Sequence, residues 1–250
     1  MQEILKVSSI KKTFLKDGES NTVINDVSFT VKKGQCVGIV GESGCGKSTT
    51  VRVILGLLNF DEGEIILSEN KLSPQNRIRL KEIQGKIQMV FQMPTESFNP
   101  RIKLGKSIKE AMRKTLTSEE KEVKLKKLFE ECQLSYDLAD RYPKEVSGGQ
   151  CQRAAIARAL ASDPQLLICD EATSALDVTV QYNIMNLLKN IQKNRGMAIL
   201  FICHDIALVQ QFCDYVLVMD KGKIIEEGIP NEVILNPSQM FTQKLISSVI

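Results

Sequence analysis

Val37-Gly38-Ile39-Val40-Gly41-Glu42-Ser43-Gly44-Cys45-Gly46-Lys47-Ser48-Thr49 is the stretch on which the reading of this sequence turns. A short apolar run leads into a glycine-rich loop. A helix is expected from Lys47 to about Leu58, with Val51, Ile54, Leu55 and Leu58 on one face. Residues 41–49 fit the pattern G-x-x-x-x-G-K-[ST], which a chain of this length meets by chance roughly once in a hundred. The strand–loop–helix setting lowers that further. Glycines let the backbone curl until successive N–H groups converge on phosphate oxygens. The helix that follows aims its positive end at the same anion. In such a loop Lys47 reaches the β- and γ-phosphates, and Ser48 offers its hydroxyl to Mg²⁺. The loop alone does not name the nucleotide. A guanine reader needs Asn-Lys-x-Asp, and the chain offers only Asn70-Lys71-Leu72-Ser73, so GTP is disfavoured.

Leu166-Leu167-Ile168-Cys169-Asp170-Glu171 is an apolar strand that ends in two carboxylates. Ligands of parallel sheets bind at the carboxyl ends of the strands. Asp170 is therefore expected to hold Mg²⁺, directly or through water, and Glu171 to orient or deprotonate an attacking water. Gln92 and His204 end two other expected strands, Ile87 to Phe91 and Ala198 to Cys203. Their place on the same sheet edge points both toward the γ-phosphate. A second glycine signal, Ser147-Gly148-Gly149-Gln150, opens a helical run from Gln152 to Ala161 and makes a second potential phosphate site. Read singly, each of these has a plainer meaning: a solvated acidic turn, a structural histidine, a flexible linker before a helix. The phosphate loop beside them tips the balance.

Composition agrees with a globular protein. The chain has 250 residues, 43% hydrophobic and 25% charged, with a net charge of +3. That excludes a disordered chain, and so small a charge gives no case for nucleic-acid binding. The longest apolar run, Met197 to Cys203, is far short of the roughly 20 residues that cross a bilayer. The opening residues Met1-Gln2-Glu3 carry no basic-then-apolar pattern, so no secretory signal is expected. The seven cysteines lack Cys-x-x-Cys spacing and several lie in apolar runs, which predicts buried thiols rather than disulfides or zinc. The single histidine, His204, excludes a His-rich metal site.

Alternation marks strands at 3–10 and 22–31, and further strands are expected at Glu64 to Leu67, Leu166 to Cys169, Ala198 to Cys203 and Tyr215 to Met219. Gly222 to Glu227 suggests a last hairpin, and the tail from about Asn231 reads as helical. From Leu104 to about Leu138 the charges are dense and the period is helical, which marks a separate lobe with a helix start near Ser118. The fold class is α/β, with a mainly parallel sheet covered on both faces.

These residues, in this order, resemble the ATP-binding subunit of an ABC transporter over essentially the whole chain. The motifs are Walker A at 41–49, a Q-loop at Gln92, a signature at 147–150, Walker B at 166–171, a D-loop at Ser174-Ala175-Leu176-Asp177 and a switch histidine at His204. Phe91-Gln92-Met93-Pro94, Ser97-Phe98-Asn99-Pro100-Arg101 and the segment Asn236 to Leu245 are similar to the oligopeptide, dipeptide and nickel import group. The chain departs from that group at Met93, Cys203 and Ser238-Gln239-Met240. It stops at Ile250, so the cysteine cluster of some members is not expected.

The resemblance implies a P-loop NTPase fold with an antiparallel β-subdomain and an inserted helical lobe. It implies a single domain, with a nucleotide-binding core at 1–95 and 163–250 and the lobe at about 96–162. The implied substrate is ATP and the implied metal Mg²⁺, held by Ser48, Gln92 and Asp170. Gly41, Glu42, Ser43, Gly44, Cys45, Gly46, Lys47, Ser48 and Thr49 would cradle the phosphates. Glu171, Gln92 and His204 would act on the γ-phosphate. Ser147, Gly148, Gly149, Gln150 and Asp177 would act across a head-to-tail dimer with a second ATP-binding subunit. Phe14 matches an aromatic that stacks on adenine, a buried strand-end Phe being the alternative. Partners would be membrane-spanning permease subunits, which dock near 92–101, and indirectly an extracytoplasmic substrate-binding protein, at the cytoplasmic face of the cell membrane. The cargo would be small peptides, nickel or a metal–chelator complex. The rival readings are a soluble ATPase of the same fold in DNA repair or translation, and a non-hydrolysing subunit of a heterodimer.

Overall fold

The computed structural model describes residues 2–16, 19–72, 85–91, 93–170 and 178–247. The predicted site residues Gln92, Glu171 and Asp177 lie outside the described residues, as does the whole predicted D-loop, 174–177.

Two sheets organise the chain. Strands β1 (Glu3–Lys16), β2 (Glu19–Lys32), β4 (Glu62–Leu67) and β5 (Asn70–Leu72) form one, in the order β2-β1-β4-β5. All its pairings are antiparallel. The other holds β3 (Cys36–Val40), β6 (Ile87–Val90), β7 (Leu166–Asp170), β8 (Ala198–Cys203), β9 (Tyr215–Asp220) and β10 (Lys223–Gly228), in the order β10-β9-β3-β8-β7-β6. Five of these run parallel, and β10 turns back along β9 as the expected hairpin. Every residue of β3 and β8 is buried, as continuous apolar runs in the middle of a parallel sheet should be.

Successive residues of the central strands feed two different cores. Cys36, Val40, Leu167, Cys169, Ile199, Phe201 and Cys203 face one, with the helices α5 (Gly148–Leu160), α6 (Val178–Arg195) and α7 (Ile206–Phe212). Val37, Ile39, Leu166, Ile168, Leu200 and Ile202 face the other, with α1 (Lys47–Ile54) and the antiparallel sheet. This is the period of two at work. The second face is thus covered by one helix and a sheet together, which the alternation of strands and helices alone did not show.

The lobe contains the single turn α2 (Pro94–Ser97), α3 (Leu104–Glu110) and α4 (Ser118–Glu131). Helix α4 starts at Ser118 as expected, and Thr117 is its cap. Its hydroxyl accepts from the Glu120 N–H, and the Glu120 carboxylate accepts from the Thr117 N–H. Arg195 at the end of α6 grips Glu131 of α4 with two bonds, Nε to Oε1 at 2.6 Å and Nη2 to Oε2 at 2.5 Å, and so ties the lobe to the core. Two short helices, α8 (Pro230–Leu235) and α9 (Met240–Ser247), end the described chain.

Several boundaries differ from the sequence reading: β1 runs on to Lys16 rather than ending near Ile10, and β2 starts at Glu19 rather than Thr22. Helix α1 stops at Ile54 rather than about Leu58, because the Gly56 and Leu57 N–H groups turn back to Val53 and Arg52. The tail is helical as expected, in two pieces separated at Asn236-Pro237. All seven cysteines are free and buried. Burial pushes the Cys151 thiol up to about 11 and the Cys132 thiol to about 12, which makes both inert as nucleophiles.

Candidate functional site

The parallel register of β3 and β8 pairs Val40 with Cys203. The next residues, Gly41 and His204, therefore leave the sheet side by side. Asp170 ends β7 in the same row as Ile202, which pairs with Ile39. Hydrogen-bonded register alone thus brings the phosphate loop, the Walker-type aspartate and the histidine to one edge of the sheet.

The loop is tightly built. A side chain at Gly41 would put its Cβ 2.2 Å from the Met219 carbonyl oxygen. Gly46 has φ +115°, and a Cβ there would lie 2.7 Å from the Val23 carbonyl oxygen. Both positions demand glycine. Helix α1 starts directly behind Gly46, with no side-chain cap and no acidic residue in its first turn. Its positive end is left for an anion.

Lys47 is only 4% exposed. Its ammonium donates to the carbonyl oxygens of Gly41 at 2.7 Å and Glu42 at 2.8 Å, and lies 3.8 Å from Cys45 Sγ. The charge is held inside the ring of the loop. Thr50 Oγ1 donates to the Gly46 carbonyl at 3.0 Å and fixes the turn from below. Ser48 is exposed, Thr49 partly so, and Glu42, Ser43 and Gly44 form the outer rim. His204 Nδ1 lies 3.3 Å from the Gly41 carbonyl oxygen. A carbonyl only accepts, so the facing nitrogen is the one that donates. Asp205, which follows, caps α7 through Oδ1, accepting from the Ala207 N–H at 2.8 Å and the Leu208 N–H at 3.3 Å. That cap sets the direction in which His204 leaves β8.

Ser48 is exposed on the loop and Asp170 ends a strand at the same sheet edge, and a hydroxyl and a carboxylate are both hard oxygen donors. That donor set suits Mg²⁺.

Ser147 is the N-cap of α5. Its hydroxyl accepts from the Gln150 N–H at 3.3 Å, and the Gln150 side chain accepts from the Ser147 N–H at 3.0 Å. Ser147 and Gly148 are exposed, and Gly149 faces Val180 at the start of α6. Among the described residues no hydrogen bond joins 147–150 to the phosphate loop. The structure therefore brings Lys47, Gly41 and His204 together and leaves Ser147, Gly148, Gly149 and Gln150 as a separate exposed helix start.

Phe14 lies on β1 and is 38% exposed, with the Lys12 ammonium 5.4 Å from its ring centroid. Asp61 accepts from the Thr13 N–H at 2.6 Å and from Lys12 Nζ at 2.8 Å, which holds the strand that presents the ring. Burial works against the Asp61 charge, but the hydrogen bonds from Lys12 and Thr13 outweigh it and hold the carboxyl below its usual range.

Sequence reasoning passed over Asp205, Asp61 and Arg158. Asp205 carried a readable signal, an acidic residue just before a helical run. Asp61 carried none, because its partners lie 48 and 49 residues away. Arg158 of α5 donates to the Ser97 carbonyl at 2.6 Å and to Ser97 Oγ at 2.9 Å, and stacks 4.1 Å from the Phe98 ring centroid.

A family profile described as ABC transporter matches residues 24–174. The oligopeptide transport ATP-binding protein OppF of Haemophilus influenzae is 42% identical over 247 residues, which is 98% of this chain and 74% of that protein. OppF of Bacillus subtilis is 39% identical over 252 residues, covering 99% of this chain and 83% of that protein. Among solved structures, an ATP-binding cassette captured as a dimer in a post-hydrolysis state with ADP and Pi superposes with a TM-score of 0.80 at 29% identity, over 90% of this chain and 98% of that one. CbiO1 from Clostridium perfringens, part of an ABC transporter complex, gives a TM-score of 0.85 at 28% identity, over 94% of this chain and 92% of that one.

Proposed function

Because the chain belongs to the ABC transporter family, we propose that the site above is where it binds and hydrolyses ATP to energise an importer of small peptides. ATP-binding subunit of an importer is the family role of its relatives, and their names favour oligopeptides over nickel or metal chelates as cargo. The observation that carries the site assignment is the buried Lys47 ammonium, seated on the Gly41 carbonyl that His204 also meets.

The proposed roles follow from chemistry. Lys47 and the loop from Gly41 to Thr49 hold the phosphates. Ser48, Asp170 and Gln92 would hold Mg²⁺, which neutralises charge on the phosphate oxygens when bound. Glu171 polarises the attacking water, and Gln92 and His204 contact the γ-phosphate. Phe14 stacks on adenine.

The exposed cap at Ser147, separate from its own chain's phosphate loop, supports a head-to-tail dimer. In it, residues 147–150 and Asp177 of one copy reach the triphosphate of the other. The partner is a second ATP-binding subunit, itself or a relative. Membrane-spanning permease subunits dock near 92–101, and an extracytoplasmic substrate-binding protein delivers cargo to them. Among the described residues no helix is long and apolar enough to cross a membrane, so we place the chain peripherally on the cytoplasmic face. We take residues 1–250 as one domain, with the core at 1–95 and 163–250 and the lobe at about 96–162.

The test is ATP turnover with Mg²⁺ by the purified chain, alone and with its permease partners. Turnover that survives Lys47→Ala in both settings overturns the reading.

A further inference from the structure

Arg158 is half-buried on the lobe side of α5, and among the described residues no carboxylate pairs with it in an ion pair. Burial pulls its pKa below the usual arginine range. Holding a guanidinium out of water is costly, and a leucine or methionine would fill the same space without that cost. What the guanidinium does instead is grip one turn. Two of its nitrogens bond Ser97, one to the carbonyl and one to the hydroxyl. The Ser97 hydroxyl in turn donates a hydrogen bond to the Pro94 carbonyl at 2.7 Å. The flat face of the guanidinium lies on Phe98, which is 3% exposed. Donors in a rigid fork, plus a stacked face, fix the turn in position and in angle.

The gripped turn is Pro94–Ser97, which starts two residues past Gln92 in sequence. The gripping helix is capped by Ser147 at its far end, about 16 Å up the axis at 1.5 Å per residue.

We infer that Arg158 is a positioning residue that makes the Pro94–Ser97 turn and α5 one rigid piece, so that movement of the segment after Gln92 re-aims the Ser147 end of the helix. The inference rests on the reading that Gln92 and Ser147 both serve the bound nucleotide. It makes α5 a lever: what displaces the turn is felt at the surface where a second copy closes.

The experiment uses the full chain in a Glu171→Gln background, which keeps bound ATP from being hydrolysed. ATP binding to the monomer is read by fluorescence of a labelled nucleotide, and ATP-dependent dimerisation by light scattering. Arg158→Met is expected to leave monomer binding within about twofold and to raise the ATP concentration needed for dimers about tenfold, the worth of a charge-assisted bond and its stacking. Arg158→Lys keeps the charge and stem but loses the fork, so it should recover less than half of that loss. Ser97→Ala should cost about threefold, and adding it to Arg158→Met should cost nothing more, since the two act as one contact.

Wild-type dimerisation by Arg158→Met, or full recovery by lysine, overturns the inference. If Arg158→Met does not fold, Ser97→Ala decides alone: a loss near threefold supports the lever and no loss overturns it. Failure of the parent reading looks different, because the Glu171→Gln chain itself would then form no dimers with ATP.

Discussion

His204 Nδ1 and the Lys47 ammonium converge on one atom, the carbonyl oxygen of Gly41, at 3.3 Å and 2.7 Å. One residue comes from the loop after β3 and the other group from the end of β8, strands that register pairs side by side. The shared acceptor makes the positions of the two side chains interdependent, so substitutions at either one should be read together.

Lys47→Ala removes the positive charge seated inside the loop ring. ATP affinity should fall by about 100-fold, as expected for loss of charge-assisted bonds to phosphate. Calorimetric titration with ATP checks it, and binding within about threefold of wild type would refute the role.

His204→Ala should separate binding from turnover. The loop and Lys47 remain, so ATP affinity should stay within about twofold, while hydrolysis falls about a hundredfold if the ring meets charge that develops on the γ-phosphate. Equal losses in both would assign His204 to binding alone.

Glu171→Gln keeps the shape of the residue and removes its basicity. Hydrolysis should drop by roughly 10² or more, and ATP-bound dimers should accumulate on a sizing column. Unchanged turnover would remove Glu171 from the mechanism.

Phe14→Ala should weaken ATP about tenfold, or about 1.4 kcal/mol, the usual worth of one base stacked on an aromatic ring. Phe14→Tyr should restore it. Because stacking is tolerant of the base, GTP affinity should fall by the same factor, and a purely structural Phe14 would show a lowered melting temperature instead.

Glu226 predicts an acid limit to stability. Its carboxylate accepts from the Ser238 N–H at 2.7 Å, the Ser238 hydroxyl at 2.9 Å, the Gln239 N–H at 3.3 Å and the Thr242 hydroxyl, and so pins α9 to β10. Burial opposes the charge, but these bonds prevail and hold the carboxyl below its usual 4.5. A carboxyl depressed in the folded state stabilises above its unfolded pKa and loses that contribution as pH falls through the folded one. The loss should therefore start below about pH 4.5 and grow with further acid. Glu226→Gln should remove this pH dependence and cost about 1 kcal/mol at neutral pH, as loss of a helix cap does. Thermal melts of both chains from pH 7 to pH 3 check it; parallel curves would refute it.

The strands at 37–40, 198–203 and 215–219 were legible because each is a short apolar run, whereas the alternation at 3–10 marked only the first part of β1, which runs on to Lys16. The phosphate loop was legible because its glycines are required by backbone close approach, as at Gly41 and Gly46. Its spacing is therefore a local property of the sequence. Less was visible wherever contacts join distant residues. Nothing near Asp61 announces Thr13, and nothing near Arg158 announces Ser97, 61 residues earlier. The pairing of β4 with β1, which builds the antiparallel sheet, is likewise a long-range register that periodicity does not encode. At the site, the edge location of Asp170 and His204 followed from strand ends alone, whereas the shared hold on Gly41 joins residues 163 apart and no local pattern encodes it.

The seat of Lys47 has a consequence for how fast nucleotide is captured. Its ammonium has already shed most of its hydration and rests on two backbone dipoles. An arriving triphosphate therefore meets a pre-dried cation whose neutral partners are weaker than itself, and a ligand swap replaces the slow stripping of water. Recognition becomes an exchange of oxygens around a stationary nitrogen.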